Sequence, residues 1–208
     1  MVKYNLEHLT QDNNQRVFGP IQDDEALFLY SIVRGMRLSR ILEIGGLTGY
    51  SAQNFLAAMT NHDDSIMYTV DLYVVPTLAN NHKVIVKNAL HLTMDDVDNK
   101  PLDLVFFDCH DMVQMNIYEN FVQSGIITDD TVIALHDTNL HYHPFQVCGP
   151  YVHEEGGYAH QPIERFMVGR FKDMGYDAFC LHTTADKHNE SFPLRHGITI
   201  CKKYKKLH

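Results

Sequence analysis

The sequence has no apolar run of the length that a membrane-spanning helix needs, and its first residues lack the apolar core of a signal peptide. Cysteine is scarce, and the four cysteines form no C-x-x-C pair and no regular framework, so we expect reduced thiols. Basic residues are also few, because 17 Lys and Arg stand against 26 Asp and Glu and give a net charge of −9. We therefore expect a cytoplasmic protein whose partners are neither membranes nor nucleic acids.

The 208 residues alternate aliphatic, β-branched runs with segments of helical period, over a length that suits one domain. We predict a single α/β domain over 1–208: a Rossmann-like, seven-stranded, mostly parallel sheet with an antiparallel last strand and helices on both faces. Helices are expected between the first five strands, including a short one around 90–97, and before the sixth. Residues 1–20 are expected to form an N-terminal arm. The long segment 138–161 is expected to be a substrate or lid loop.

The first predicted helix begins with three acids, Asp23, Asp24 and Glu25. Negative side chains are favourable at the positive end of a helix dipole, so this pattern indicates a helix start. It predicts no other role for these residues.

The most informative stretch runs from Arg40 to Ala52 and reads RILEIGGLTGYSA. An aliphatic run that suits a buried strand meets Gly45, Gly46 and Gly49, and a helix-compatible segment follows. Such a turn lets the backbone pass beneath a ligand, and the helix start presents its free N–H groups to that ligand. The next strand ends at Asp71, where an acid would hold the ribose diol of a nucleotide-type cofactor. We interpret this unit as a nucleoside-cofactor site.

Polar side chains or glycines follow each of the first five predicted strands. They are Glu43 with Gly45, Asp71, Asn88, Asp108, and His136 with Asp137. Any one of them alone is better explained as a helix cap or turn former. Because the carboxyl ends of parallel strands meet at one edge of a sheet, five together predict a ligand-binding crevice there.

The glycine turn argues against two cofactor classes. E-x-G-G-x-x-G is neither the G-x-G-x-x-G of dinucleotide sites nor the G-x-x-x-x-G-K-[ST] of nucleoside triphosphate sites. The element LEIGxxxGYS instead resembles that of class I S-adenosylmethionine-dependent methyltransferases of the catechol and caffeoyl-CoA O-methyltransferase type. The ending His136-Asp137-Thr138 is similar to that of antibiotic-tailoring small-molecule methyltransferases. The resemblance covers roughly residues 20–201 and is strongest over 40–73 and 102–138.

The resemblance implies S-adenosyl-L-methionine as cofactor and a set of residues around it. They are Glu43, Gly45, Gly46, Gly49, Tyr50, Ser51, Asp71, Asn88, Ala89 and Asp108. Glu43, Gly45, Tyr50 and Ser51 would line the methionine moiety. Asp71 would accept hydrogen bonds from the ribose, and Asn88 or Ala89 would lie beside the adenine. Asp108 would lie under the sulfonium.

The same relatives use a divalent metal that holds the acceptor hydroxyl and aims it at the methyl group. The matching ligand positions are Asp108, Asp137 and Thr138. At the third position the family has Asn, and this chain has Thr138 instead. The family's lysine base is replaced by Asp111, so Asp111 or a nearby histidine would have to act as base. The catalytic candidates are therefore Asp108, His136 and Asp111. The metal candidates are Asp108, Asp137 and His136, with Mg or Mn as the metal.

Histidines near these acids offer a second kind of metal site. His110, His141 and His143 could add imidazole ligands, and such a mixed site would favour Mn, Fe or Zn. An equal alternative is that His141 and His143 are loop residues or line a pocket without metal.

Three functions stay open. The leading hypothesis is a methyltransferase that acts on a small-molecule acceptor, by O-methylation, with the assistance of a divalent metal. The second is a metal-dependent hydrolase or oxygenase that uses the His/Asp cluster. The third is a non-catalytic cofactor-binding homologue, which the missing lysine would fit. Homodimers are common among the relatives, so the resemblance also allows a homodimer.

Overall fold

The computed structural model describes residues 21–59, 64–109, 113–138, 163–181 and 197–204, and the backbone of 153–154 and 157–158. The predictions for the arm 1–20, for His110 and Asp111, and for His141 and His143 lie outside the described residues. Of the predicted loop 138–161, the structure describes Thr138 and a short two-stranded ribbon.

The secondary structure alternates strands and helices through most of the chain. The helices are α1 (Asp23–Met36), α2 (Tyr50–Met59), α3 (Gln114–Ser124) and α4 (Ile163–Asp173). The strands are β1 (Arg40–Ile44), β2 (Ile66–Asp71), β3 (His82–Val86), β4 (Leu104–Phe107), β5 (Val132–Leu135), β6 (His153–Glu154), β7 (Gly157–Tyr158), β8 (Tyr176–Leu181) and β9 (Ile198–Lys203).

Seven of these strands form one sheet in the order β3-β2-β1-β4-β5-β9-β8. Strands β1 to β5 pair in parallel, whereas β9 pairs antiparallel with both β5 and β8. The predicted mostly parallel sheet with an antiparallel last strand is confirmed. The strand order reverses between β1 and β4, and at such a point the connections leave on opposite faces and open a crevice at the carboxyl ends.

The central strands are buried on both faces, as their aliphatic composition predicts. Phe55 of α2 packs with Ile41 in one hydrophobic cluster, and Phe121 and Phe171 of α3 and α4 pack with Val105 in the other. Helices therefore cover both faces of the sheet, which confirms that part of the prediction.

Two connections between strands lack the α-helix that the sequence predicts. Residues 72–81, between β2 and β3, contain no helix. The helix expected around 90–97 is instead two 3-10 turns, Ala89–His91 and Met94–Val97. A local hydrogen bond accounts for the break, because Thr93 between the two turns forms a capping box with Asp96 and so starts the second turn anew.

Among the described residues, no helix combines the length and apolar character needed to cross a membrane. Cys109, Cys180 and Cys201 are free thiols, in keeping with the expectation of reduced cysteines. Cys148 lies outside the described residues.

Candidate active site

The glycine turn between β1 and α2 lies tightly against its neighbours. Gly45 has φ 92°, and a Cβ atom on it would lie 2.6 Å from the carbonyl oxygen of Asp108. A Cβ atom on Gly46 would lie 2.3 Å from Cγ2 of Thr69. Only glycine fits at these two positions, so the turn is held against the ends of β2 and β4, where the crevice opens.

Asp71 ends β2 beside this turn. Its Oδ2 accepts hydrogen bonds from the backbone N–H groups of Gly46 at 2.9 Å and Leu47 at 3.4 Å, and its Oδ1 accepts one from Tyr73 at 3.1 Å. The carboxylate is half-buried, and it lies at the crevice where the sequence predicts a ribose contact. Two carboxylate oxygens have about four acceptor positions and three backbone N–H groups occupy three of them, so about one position remains for a hydroxyl donor.

Glu43 lies beneath the turn and is fully buried. The Ser51 hydroxyl donates to its Oε1, and the Thr69 hydroxyl donates to its Oε2 at 2.9 Å. Burial, together with the charges of Asp108 and Asp71, raises the pKa of Glu43 to about 8, although the two hydrogen bonds act to lower it. Glu43 therefore carries a proton at neutral pH and supports the turn from below.

His82, which the sequence analysis did not single out, joins this group. Its Nε2 lies 2.9 Å from Oγ1 of Thr69, and its Nδ1 accepts the backbone N–H of Leu78 at 3.2 Å. Burial lowers the pKa of His82, so the ring is neutral and its Nε2–H donates to Thr69. This contact ties the connection between β2 and β3 to the glycine turn.

The other predicted cofactor residues line the same edge of the sheet with different partners. The Tyr50 hydroxyl donates to Oδ1 of Asp23 on α1 at 3.1 Å. Asn88 is exposed after β3, and its side chain accepts the N–H of Leu90 at 2.9 Å, while Ala89 is buried. The structure thus places both residues proposed for the adenine one strand beyond Asp71.

A second cluster of polar side chains follows β4 and β5 and is centred on His136. Nδ1 of His136 lies 2.8 Å from Oδ1 of Asp108, and its Nε2 lies 3.3 Å from Oε2 of Glu25 and 3.6 Å from Oδ1 of Asp137. Glu25 is fully buried and reaches this cluster from the first turn of α1. It also accepts the backbone N–H groups of Gln22, at 2.8 Å, and of Gly197.

These three carboxylates determine the charge of the ring. Burial alone would lower the pKa of His136, but the charges of Asp137, Asp108 and Glu25 hold it well above its ordinary value. Burial alone would raise the pKa of Glu25, but His136 and the two backbone donors hold it below its ordinary value. His136 is therefore an imidazolium that donates from both ring nitrogens.

Asp108 and Asp137 stay predicted metal ligands, whereas His136 is not available as a ligand in this arrangement. An imidazolium has no lone pair for a metal, and none with which to accept a proton as a base. The hydroxyl oxygen of Thr138 is buried and accepts the Thr199 hydroxyl at 2.7 Å. No group of three or more His, Cys, Asp or Glu side chains in the described part of the chain could hold a metal ion.

Comparison with known proteins identifies the fold. No protein-family model and no curated protein matches the chain. Solved structures match it closely in shape. The methyltransferase PaMTH1 of Podospora anserina, bound to SAH, is 17% identical with a TM-score of 0.61, and the match covers 96% of this chain and 87% of that one.

Two bacterial structures are similar to the same degree. The O-methyltransferase of Bacillus cereus, in complex with SAH, is 18% identical with a TM-score of 0.63, over 96% of this chain and 90% of that one. The O-methyltransferase TomG of Streptomyces achromogenes, involved in tomaymycin synthesis and in complex with SAM, is 16% identical with a TM-score of 0.60, over 96% and 89%. The chain therefore has the Rossmann-like fold of these methyltransferases.

Proposed function

We propose that this chain is an S-adenosyl-L-methionine-dependent methyltransferase that transfers the methyl group to an oxygen atom of a small-molecule acceptor. The observation that carries the proposal is the position of Asp71, which ends β2 beside the glycine turn that follows β1, and the strand order reverses on the other side of β1. The three solved structures of the same fold are described as methyltransferases, two of them bound to SAH and one to SAM, and this supports the same cofactor here.

The crevice has the charges that this cofactor requires. The start of α2 offers backbone N–H groups to the carboxylate of the methionine moiety. Asp71 would accept the ribose hydroxyls, and Asp108, next to Gly45, would lie near the positive sulfonium. Asn88 and Ala89 would adjoin the adenine. A cationic donor would thus lie between two acids at the ends of β2 and β4, the strands on either side of β1.

The reaction is an in-line displacement. The acceptor oxygen forms a bond to the methyl carbon, the carbon–sulfur bond breaks, and its electron pair goes to sulfur to give S-adenosylhomocysteine (SAH). Alignment of the two reactants supplies much of the rate in such a step. The acceptor also loses its hydroxyl proton, and Asp111 or a nearby histidine stays our prediction for the base. The loop 138–161 stays our prediction for the segment that selects the acceptor.

A metal-dependent hydrolase or oxygenase finds no support in the described residues, because none of their His/Asp groups could hold a metal. A non-catalytic homologue would have the same crevice and would bind the cofactor without turnover. Formation of SAH in the presence of an acceptor separates this alternative from the proposal. A homodimer stays a prediction.

The test is calorimetric binding of SAH to wild type and to Asp71→Ala. We expect SAH to bind wild type and NAD not to bind. Loss of the charge-assisted hydrogen bonds to the ribose should weaken SAH binding by ~1–3 kcal/mol, about 5- to 150-fold. Asp129→Ala is the matched control, because Asp129 is exposed, pairs with Lys203 at 2.7 Å and precedes β5, at the edge of the sheet opposite the carboxyl ends of the parallel strands.

Asp71 also holds the glycine turn, so the melting temperature of each variant is measured beside its affinity. A conservative Asp71→Asn variant keeps an oxygen for the turn but loses the charge. Unchanged SAH affinity in both Asp71 variants would refute the ribose role. Failure of wild type to bind SAH would refute the proposed function itself.

A further inference from the structure

Two buried polar side chains meet at the starts of α3 and α4. Gln114 is the first residue of α3 and Glu164 is the second residue of α4. Nε2 of Gln114 donates to Oε1 of Glu164 at 2.7 Å, and the two residues are 0% and 1% exposed. Because α3 follows β4, and α4 leads into β8, which runs in the same direction as β5, both helix starts lie at the carboxyl edge of the sheet.

Each of these residues stands where the helix pattern favours an apolar side chain. Both head a buried helical stripe whose other members, at positions i+3, i+4 and i+7, are apolar or aromatic. These members are Ile117, Tyr118 and Phe121 in α3, and Met167, Val168 and Phe171 in α4. The packed faces of the two helices therefore both end in a polar residue at the edge where the crevice opens.

One atom of this pair is unsatisfied. Oε1 of Gln114 is buried and has no hydrogen-bond partner among the described residues. The hydroxyl of Tyr118, one turn further along the same stripe, is paired with that of Tyr176 at 2.8 Å. A buried acceptor without a partner destabilises a fold, and a leucine would avoid that cost, so the packing of α3 on α4 does not explain Gln114. An amide oxygen only accepts hydrogen bonds, so the partner that Oε1 lacks is an O–H or N–H donor.

The neighbouring segments indicate where this donor comes from. Gln114 follows the segment that contains Asp111, a predicted base, and Glu164 follows 138–161, the predicted acceptor loop. Nε2 of the amide faces Glu164, so Oε1 points away from it.

We propose that Gln114 is a specificity-determining residue of the acceptor site: its Oε1 accepts a hydrogen bond from a hydroxyl or amine group of the acceptor, other than the oxygen that is methylated. Glu164 is a positioning residue, which holds the amide through Nε2. This inference rests on the proposed function.

The test uses three phenols of the same size, para-propylphenol, tyrosol and tyramine, whose side chains end in a methyl, a hydroxyl and an ammonium group. Their meta isomers place the same groups at another distance from the phenol oxygen. Each compound is titrated by calorimetry into the full chain saturated with SAH. The affinity for the hydroxyl or ammonium compound, relative to the propyl compound of its series, should be about threefold to tenfold higher in wild type than in Gln114→Leu, the value of one hydrogen bond. The hydroxyl and ammonium arms show which donor Oε1 takes.

Two further variants separate recognition from a structural link between the helices. The swapped pair, Gln114→Glu with Glu164→Gln, keeps a hydrogen bond between α3 and α4 and an acceptor oxygen at position 114, so it should keep the preference. Gln123→Leu makes the same chemical change at an exposed position of α3 and should leave the preference unchanged. Where Gln114→Leu does not fold, Gln114→Met, which is unbranched like glutamine, takes its place.

The outcomes distinguish the inference from the proposed function. Equal relative affinities in wild type and Gln114→Leu would assign the oxygen to a buried water and overturn the inference. Wild type that binds SAH but none of the phenols at millimolar concentration would overturn it as well, and SAH binding would keep the proposed function. Failure of wild type to bind SAH would overturn the proposed function and the inference with it.

Discussion

His82 and His136 are equally buried, at 3% exposure each, yet they carry different charges. His82 contacts a threonine hydroxyl and a backbone N–H, and burial lowers its pKa. His136 contacts three carboxylates, and its pKa is raised although burial acts to lower it, as it does in His82. Burial alone therefore does not determine the charge of a histidine; the groups that face its two nitrogens do.

The two histidines mark two halves of the crevice. The neutral half consists of Glu43, Thr69 and His82. It holds the glycine turn by hydrogen bonds between uncharged groups. The charged half, which consists of Glu25, Asp108, His136 and Asp137, holds the ends of β4 and β5 by ion pairs. A cofactor bound over the glycine turn would adjoin both halves, because the neutral half supports the turn and Asp108 of the charged half lies next to Gly45.

The largest expected effect is the loss of the central cation. His136→Gln leaves three carboxylates facing one another without a counter-charge, which should lower the free energy of unfolding by ~3–5 kcal/mol. His82→Gln removes neutral hydrogen bonds only and should cost about 1–2 kcal/mol. Urea unfolding followed by circular dichroism measures both.

The difference in the free energy of unfolding between His136→Gln and His82→Gln tests the charge assignment more directly than either value alone. Both substitutions replace a histidine ring of the same exposed fraction, 3%, by the same side chain. Equal losses would contradict the assignment of charge to one histidine and not to the other. A variant of His136 that does not fold at all agrees with the expectation, provided that His82→Gln folds.

The pH dependence of stability tests the neutral half. The pKa of Glu43 is about 8 in the folded state, against an ordinary value of 4.5. The folded state therefore binds this proton more tightly, and the stability it contributes is complete below about pH 4.5 and is lost as the pH rises through about 8. Between about pH 5 and about pH 7 this loss amounts to about 2–3 kcal/mol.

Glu43→Gln has no proton to lose, so its stability should fall less over this pH range than that of wild type. Glu119→Gln makes the same chemical change on an exposed face of α3 and controls for the substitution itself. Urea unfolding at several pH values measures the slopes. Parallel slopes for wild type and Glu43→Gln would show that Glu43 is ionised in the folded protein.

Much of the neutral half could be predicted from the sequence, because its signal is local. The spacing of Gly45, Gly46 and Gly49 after an aliphatic run indicates a strand, a turn and a helix in direct succession. The alternation of strands and helices then places Asp71 and Asp108 at one edge of the sheet. The sequence does not indicate that Glu43 is buried beneath the turn or that Thr69 and His82 join it, since these contacts depend on the packing of β1 against β2 and on the path of the connection to β3.

The charged half could not be predicted in the same way. Glu25 carries a sequence signal, but that signal describes a helix start and is satisfied without any distant partner. Its contact with His136 depends on how α1 packs across the sheet, which no short motif encodes. His136 at a strand end suggested a base or a metal ligand, because the sequence did not reveal that a third carboxylate faces it.

The smallest expected effect concerns the link between the two halves. Tyr50 begins α2 at the glycine turn, and its hydroxyl donates to Asp23, two residues before Glu25 on α1. Tyr50→Phe removes this hydrogen bond but keeps the ring, and should lower the free energy of unfolding by about 0.5–1.5 kcal/mol. SAH affinity should change by less than about twofold, because the hydroxyl is used on α1 and the ring alone can line the methionine moiety. A loss of SAH affinity of about tenfold with unchanged stability would instead place the hydroxyl on the cofactor, and α1 would then be joined to the glycine turn by packing alone.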